Sequence, residues 1–233
     1  MKNNETVLAL FKELRAKLDA NDLVIDKSGA MLVEKLMAVM ELDPSDYIID
    51  LGAKKTNLEY VKQELEWYDS MSLNVEKIGK VASIWNSISS NNNEVNSNYG
   101  YLCYSADNYH QFTSCATHLL KDKTSRRAVM IYNRPTMHED YTRDGMNDFV
   151  CTLAHQFFVR DGKLHSVVNM RSNDAIYGFF NDFAWFCAMH NRMMYYLNSL
   201  GMSVELGNLI YSANSFHVYE KHFYLLKKIT DGK

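Results

Sequence analysis

Proline and glycine are scarce, with 2 and 10 residues in a chain of 233. That scarcity excludes a collagen-like chain and argues against low-complexity linkers. Cysteine is scarce as well. Cys103, Cys115, Cys151 and Cys187 form no CxxC pair, and their spacings fit no zinc template. A small disulfide scaffold is excluded, and free thiols in a reducing cytoplasm are the simplest reading. No window approaches the roughly 18 consecutive apolar residues of a membrane span. The amino-terminal MKNNETVLALFKELRAKL has an apolar stripe but no continuous apolar run, so it reads as neither signal peptide nor span. A cytoplasmic protein with no membrane partner is expected. Charge of one sign is missing too: 25 Lys and Arg against 28 Asp and Glu leave a net charge of −3. There is no global basic excess to attract nucleic acid. With 47% hydrophobic and 23% charged residues, the chain is an ordinary globular one, long enough to bury a core without staples.

Val7, Leu8, Leu10, Phe11, Leu14 and Leu18 recur at helical spacing, predicting an amphipathic helix over residues 5–20. Asp26-Lys27-Ser28-Gly29 reads as a turn, and a second helix is expected at about 30–41, ended by Asp43-Pro44-Ser45-Asp46. Residues 56–70 read as a helix with Leu58, Val61, Leu65 and Tyr68 on one face, and 89–98 as a polar surface loop. The second half is richer in strands. Residues 128–132, 149–159 and 164–170 are β-prone, and Asp161-Gly162 between the last two signals a hairpin. Residues 180–200 suit a buried helix with Gly201 as its cap. A further strand is expected at 209–213, and Phe216 to Lys228 as a segment ending in a helix. No βαβ alternation is visible, so a single α+β domain around a mixed or antiparallel sheet is expected over residues 1–233.

Five clusters could carry chemistry, and each has a plain structural alternative. Cys151 could be a nucleophile or an inert core residue. Arg126-Arg127 could clamp a phosphate or simply be solvated. Arg171-Ser172-Asn173-Asp174, at the end of a predicted strand, could bind an anion or merely turn the chain. His217 and Tyr219 share a face of an extended segment, and either binds a ligand there or is structural. Glu64 is an acid/base candidate or one more solvated helical glutamate.

Taken together, these residues resemble the thymidylate synthase superfamily, and within it the phage deoxycytidylate hydroxymethylase branch. The resemblance is carried in order by VIDKSG (24–29), QELEWYDSMSL (63–73), NSNYG (96–100), SRRAVMIYNRPTM (125–137), DGMNDFVCT (144–152), VVNMRSND (167–174) and HVYEKHFYL (217–225). It implies a mixed twisted sheet packed with helices, with a sheet face used to form a homodimer. It implies that the Cys151 thiolate adds to C6 of a pyrimidine nucleotide, favoured by nearby arginines. C5 then takes the one-carbon unit of 5,10-methylenetetrahydrofolate. By the same resemblance Glu64 moves protons through ordered water. Tyr99 lies near the C5 proton, a looser match because the family's YGxQW continues here as Tyr99-Gly100-Tyr101-Leu102-Cys103. Phosphate is expected among Lys27, Arg171 and Ser172, with Arg126 and Arg127 donated from a second subunit. Lys27 stands where the synthases usually have arginine. His217 and Tyr219 are expected on the deoxyribose 3′-hydroxyl, and Asp174 and Trp85 beside the folate.

Asp182 bears on the substrate. The family's dUMP-specific members carry Asn within GLPFN, whereas this chain reads Gly178-Phe179-Phe180-Asn181-Asp182. A carboxylate accepts from the exocyclic amine of cytosine and repels O4 of uracil, so dCMP is the expected substrate. The alternative is that Asn181 aligns instead and Asp182 only caps a helix. Water is expected to capture the C5 methylene, giving 5-hydroxymethyl-dCMP. The other enzymatic reading is C5-methylation of dUMP or dCMP, and a non-enzymatic reading is a retired relative that only binds nucleotides or nucleic acid. Thr152 follows the cysteine where the synthases have His, and Val150 precedes it where they have Pro. The sequence ends at Lys233, soon after HFYLLKK, so closure is expected to be weaker or to fall to another element.

Overall fold

The computed structural model describes residues 2–26 and 29–232, so the predicted phosphate ligand Lys27 lies outside the described residues. In chain order the elements are α1 (Lys2–Asp19), β1 (Val24–Ile25), β2 (Met31–Leu42), α2 (Leu58–Asp69), α3 (Ile84–Ile88), α4 (Tyr99–Tyr104), α5 (Gln111–Lys121), β3 (Val129–Ile131), α6 (Met137–Asp140), β4 (Thr152–Arg160), β5 (Lys163–Met170), β6 (Asn173–Asp174), α7 (Gly178–Ser199), β7 (Glu205–Tyr219) and α8 (Phe223–Asp231). The strands form one mixed sheet in the order β1-β2-β7-β5-β4-β3, with β6 also on β7. The β5–β7 and β6–β7 pairs are parallel and the others antiparallel. The α+β expectation holds.

The predicted hairpin holds to the residue. Asp161 and Gly162 both take positive φ, 50° and 73°, as a two-residue turn matched to strand twist requires. The register they set runs from Arg160↔Lys163 to Ala154↔Asn169, and an irregularity between Thr152 and Ala154 then shifts it by one residue to Thr152↔Met170. It carries the start of β4 to the end of β5, where the Arg171 amide donates to the Cys151 carbonyl at 2.8 Å.

The core lies between the helices and the inner face of the sheet. Val7, Leu10, Phe11 and Leu14 of α1 are buried, as the spacing predicts. Phe11 meets Phe180 and Phe216 edge-on at 6.5 and 6.3 Å, a favoured aromatic geometry. The long helix α7 brings Phe179, Phe180, Phe183, Trp185 and Phe186 into the same core and ends before Gly201, at φ 88°. All four cysteines are free; Cys103, Cys115 and Cys187 are buried and Cys151 is half-buried.

Several expectations are corrected. Residues 30–41 are not a helix but most of β2, paired with β7 from Leu32↔Tyr219 to Leu42↔Leu209. Their Met, Leu, Glu, Lys and Ala favour helix locally, but pairing along a fifteen-residue neighbour overrides that preference. The strand signal is present only in the second half, where Ala38, Met40 and Leu42 are buried and Val39 and Glu41 exposed. Met37, at φ 51°, breaks the alternation just before it. Leu58 is 46% exposed, and α2 instead buries Val61, Glu64, Trp67 and Tyr68. The 89–98 loop is only partly a surface loop, because Val95, Ser97 and Asn98 turn inward. Asn98 donates to the carbonyls of Trp67 and Ser72 and caps α4 through Tyr101 N. Leu209 to Ala213 is the middle of the longer β7, and the helix after Phe216 starts only at Phe223.

Candidate active site

Ten of the residues predicted as site residues line one cleft of about 570 Å³: Glu64, Trp85, Tyr99, Cys151, Arg171, Ser172, Asp174, Asp182, His217 and Tyr219. Four structural devices bring them together. The β4–β5 hairpin supplies Cys151 and Arg171. The β6–β7 pair sets Asp174 opposite His217. The amino-terminal end of α7 supplies Asn181 and Asp182, and one face of α2 supplies Tyr60, Glu64 and Tyr68 at intervals of four residues.

Cys151 Sγ sits 3.5 Å from Arg171 Nη2, whose guanidinium is held by the carbonyls of Phe149 and Val150. The arginine effect expected on this thiol is only partly present. Burial pushes Cys151 up to about 11, Arg171 pulls it down, and the carboxylates of Asp182 and Asp148 oppose Arg171. Arg126 and Arg127 do not reach this cleft within the chain. They line a separate basic cleft with His118, Lys121 and Arg160.

Glu64 is 6% exposed, so the solvated reading is wrong for it. Tyr60 OH donates to Glu64 Oε1 at 2.7 Å, and Trp85 Nε1 donates to Tyr60 OH at 3.0 Å. Burial pushes Glu64 up to about 8 against the pull of that tyrosine bond. A carboxyl group that titrates near neutral pH can both donate and accept a proton there. Tyr99 stacks on Tyr68 at 5.2 Å and accepts from Thr152 Oγ1 at 2.9 Å. The threonine that replaces the expected histidine therefore orients Tyr99. Gly100 allows this approach, since a Cβ there would lie 1.7 Å from the Tyr68 carbonyl oxygen.

Asp182 faces the cleft, not Asn181 alone, and its Oδ2 accepts from Asn173 Nδ2 at 2.7 Å. Tyr211 OH donates to Asn173 Oδ1 at 3.0 Å. With Asn173 Oδ1 engaged by Tyr211, the amide must present its NH₂ to Asp182, and Tyr99 is a second hydrogen-bond partner of that carboxyl. Burial pushes Asp182 up to about 7, partly offset by Asn173. His217 and Tyr219 meet edge to face at 4.9 Å, as the alternation along the strand predicts. Asp148 accepts from Ser97 Oγ at 2.6 Å and from the amides of Asn96 and Ser97. Sequence reasoning missed Tyr60 and Asn173 as site residues. Tyr60 stands one helical turn from Glu64, a readable signal. Asn173 lies inside the quoted RSND stretch, but its partners Asp182 and Tyr211 come together only in the fold.

Two buried carboxyls with raised values set a pH dependence. Their folded-state values, about 8 for Glu64 and about 7 for Asp182, lie above the ordinary 4.5 and 3.8. Their contribution to stability is therefore full below the unfolded values and is lost as pH rises through the folded ones. Glu64→Gln is expected to stabilise the ligand-free protein by on the order of 1–3 kcal/mol at pH 8 and by nothing near pH 4. Urea midpoints at the two pH values check this, and an equal gain at both would refute it.

A twisted mixed sheet with a cysteine and an arginine meeting at the mouth of one hairpin, facing buried carboxyls, matches the sequence pattern of the thymidylate synthase family. That pattern covers residues 13–231, and the chain belongs to this family. Its relatives include the deoxycytidylate 5-hydroxymethyltransferases of Enterobacteria phages T4 and T2. Each is 42% identical over 225 residues, which is 95% of this chain and 89% of the relative. The thymidylate synthase of Bacillus subtilis subsp. natto is 26% identical over 224 residues, 92% of this chain and 74% of the relative.

Proposed function

We propose that this protein is a deoxycytidylate 5-hydroxymethyltransferase. The observation that carries the substrate is Asp182, whose carboxylate Asn173 holds beside Cys151 in one cleft. One carboxylate oxygen is engaged by Asn173, and the other accepts from the cytosine amine. Uracil O4 at the same place would meet an acceptor with an acceptor. Such a buried mismatch costs about 1–3 kcal/mol, or roughly tenfold to over a hundredfold.

Cys151 gives its proton to solvent and its Sγ bonds to C6 as the C5=C6 π pair is displaced onto C5, which breaks the ring's aromaticity and leaves C5 nucleophilic. Loss of the C5 proton later restores the double bond, and the Sγ–C6 bond breaks to release the product. Arg171, at 3.5 Å, stabilises the thiolate as it forms. Arg126 and Arg127 of a second copy, with Arg171 and Ser172, hold the nucleotide phosphate. The cofactor 5,10-methylenetetrahydrofolate would be held where Ile84, Trp85 and Ile88 line the cleft, with Asp174 offering a carboxylate to its N–H groups. When bound it supplies a one-carbon unit at the formaldehyde oxidation level. Glu64, held by Tyr60, takes the proton of the water that adds to the C5 methylene. Tyr99, oriented by Thr152, stands ready for the C5 proton.

The test is a one-pot assay with methylenetetrahydrofolate and equal dCMP and dUMP. The expected products are 5-hydroxymethyl-dCMP and tetrahydrofolate. A methylated nucleotide appearing in step with dihydrofolate would move the protein to the C5-methyltransferase reading, because only hydride transfer oxidises the folate.

The homodimer is supported by the outer face of the sheet. Across the strands, Val39, Ser212, Asn169, Ala154 and Ile131 form one row, and Glu41, Ile210, Val167, Gln156 and Val129 the next. Val39 and Ile131 are left 54% and 58% exposed. A two-fold dimer would bury this face against the same face of a second copy. If sites are shared, Cys151→Ser protein mixed with an Arg126→Ala, Arg127→Ala double variant regains turnover that neither has alone. Two inactive proteins that stay inactive after subunit exchange would argue for sites built from one chain.

A further inference from the structure

The cleft carries a three-residue chain behind His217 that no step above uses. Glu34 lies on β2 directly opposite His217 on β7. Ser215 stands two residues before His217 on the same strand. Ser215 Oγ donates to Glu34 Oε1 at 2.5 Å and lies 3.1 Å from His217 Nδ1. A serine hydroxyl has one proton and an ionised carboxylate can only accept. The proton is therefore committed to Glu34, and the oxygen meets Nδ1 with a lone pair. A hydrogen bond then forms only if Nδ1 carries the ring proton.

We infer that Glu34 and Ser215 are positioning residues that hold His217 as its Nδ1–H tautomer, so that a bare Nε2 lone pair selects a hydroxyl group on the ligand. Burial supports a neutral ring, lowering the value of His217, while Asp174, a hydrogen bond to the Ser215 backbone and Glu34 oppose and Arg171 adds to that effect. With one proton on the ring and that proton engaged by Ser215, Nε2 can only accept. It takes a hydrogen bond from a sugar hydroxyl and gives nothing to a ligand that lacks a donor there. The neighbouring Tyr219 ring, edge to face with the imidazole at 4.9 Å, restrains its rotation. The ring tautomer is thus set by a carboxylate two hydrogen bonds away, on a different strand, as second-layer partners set it for catalytic and metal-bound histidines. The selection of a nucleotide hydroxyl rests on the pyrimidine-nucleotide reading above; the tautomer does not.

The test uses the full chain labelled with ¹⁵N-histidine, with His217→Gln to assign the ring signals. In ligand-free protein, His217 is expected to show a protonated Nδ1 and a bare Nε2. Glu34→Ala, which removes the acceptor and frees the Ser215 hydroxyl to donate to Nδ1, and Ser215→Ala are each expected to move the ring toward the opposite tautomer, and Glu34→Ala decides the matter if Ser215→Ala folds poorly. In parallel, dCMP competes with its 2′,3′-dideoxy counterpart. The unaltered protein is expected to prefer dCMP by about tenfold, the scale of one hydrogen bond to a buried acceptor. The variants are expected to lose most of that preference, with the loss falling in KM more than in kcat. A His217 protonated on Nε2 in the unaltered protein overturns the proposal, as do variants that keep the full preference. Failure of dCMP to bind at all would sink the nucleotide reading instead, and the nitrogen shifts would still decide the tautomer.

Discussion

Cys151→Ser is expected to lower kcat for dCMP by at least about 10⁴-fold while leaving dCMP binding nearly intact. The size follows from the step that is lost: without a covalent bond at C6, C5 stays part of an aromatic ring and has no nucleophilic character, so no other group in the cleft can compensate. A serine hydroxyl is far harder to ionise than a thiol, and Arg171, which lies 3.5 Å from the sulfur, does not make up that difference. Binding survives because Arg171, Ser172, His217 and Asp182 are untouched. Turnover by mass spectrometry and dCMP affinity by calorimetry separate the two effects. A serine variant that turned over within tenfold of the unaltered enzyme would remove covalent catalysis from the proposal. The buried thiol adds a second expectation. With its value at about 11, alkylation of Cys151 in ligand-free protein at pH 7 should be slow and should speed up as pH rises, since only the thiolate reacts.

Asp182→Asn is expected to reverse base preference. In the unaltered protein Asn173 donates to Asp182 Oδ2 at 2.7 Å. After the substitution that donor pairs with the amide oxygen of residue 182 and turns its NH₂ toward the cleft. An NH₂ group complements O4 of uracil and opposes the amine of cytosine. The kcat/KM for dCMP should fall about a hundredfold or more and that for dUMP should rise, so that their ratio inverts. A variant that lost both activities equally would mean that Asp182 serves the fold or the chemistry rather than base choice. The sign of the pH effect is set as well. Asp182 is held up at about 7 by burial, so at lower pH its neutral acid form gains a proton to donate. Discrimination against dUMP by the unaltered protein should therefore weaken as pH falls below 7.

Much of this was legible because the decisive signals are local. The helical spacing of Val7, Leu10, Phe11 and Leu14, the Asp161-Gly162 turn and the cap at Gly201 each reflect interactions between residues near in the chain, and each stands where it was expected. The hairpin turn sets the register of its strands as far as Ala154↔Asn169, but the meeting of Cys151 and Arg171 also needs the one-residue shift between Thr152 and Ala154, which the turn does not set. Strand β2 was misread because its preference is local and its partner is not. Helix-forming residues became a strand once β7 offered a full row of backbone partners and buried Ala38, Met40 and Leu42.

Residue order alone thus decides which groups are available: a cysteine at 151, a carboxylate at 182, a glutamate at 64, and His217 and Tyr219 on one face. Only the tertiary structure decides how those groups behave. Burial raises Glu64 and Asp182 into the neutral range and holds Cys151 protonated, and desolvation depends on everything packed around a group, not on its neighbours in sequence. Tyr60, Asn173 and Ser215 acquire their roles in the same way. Each holds a reactive side chain through a hydrogen bond whose geometry exists only after the strands and helices have packed.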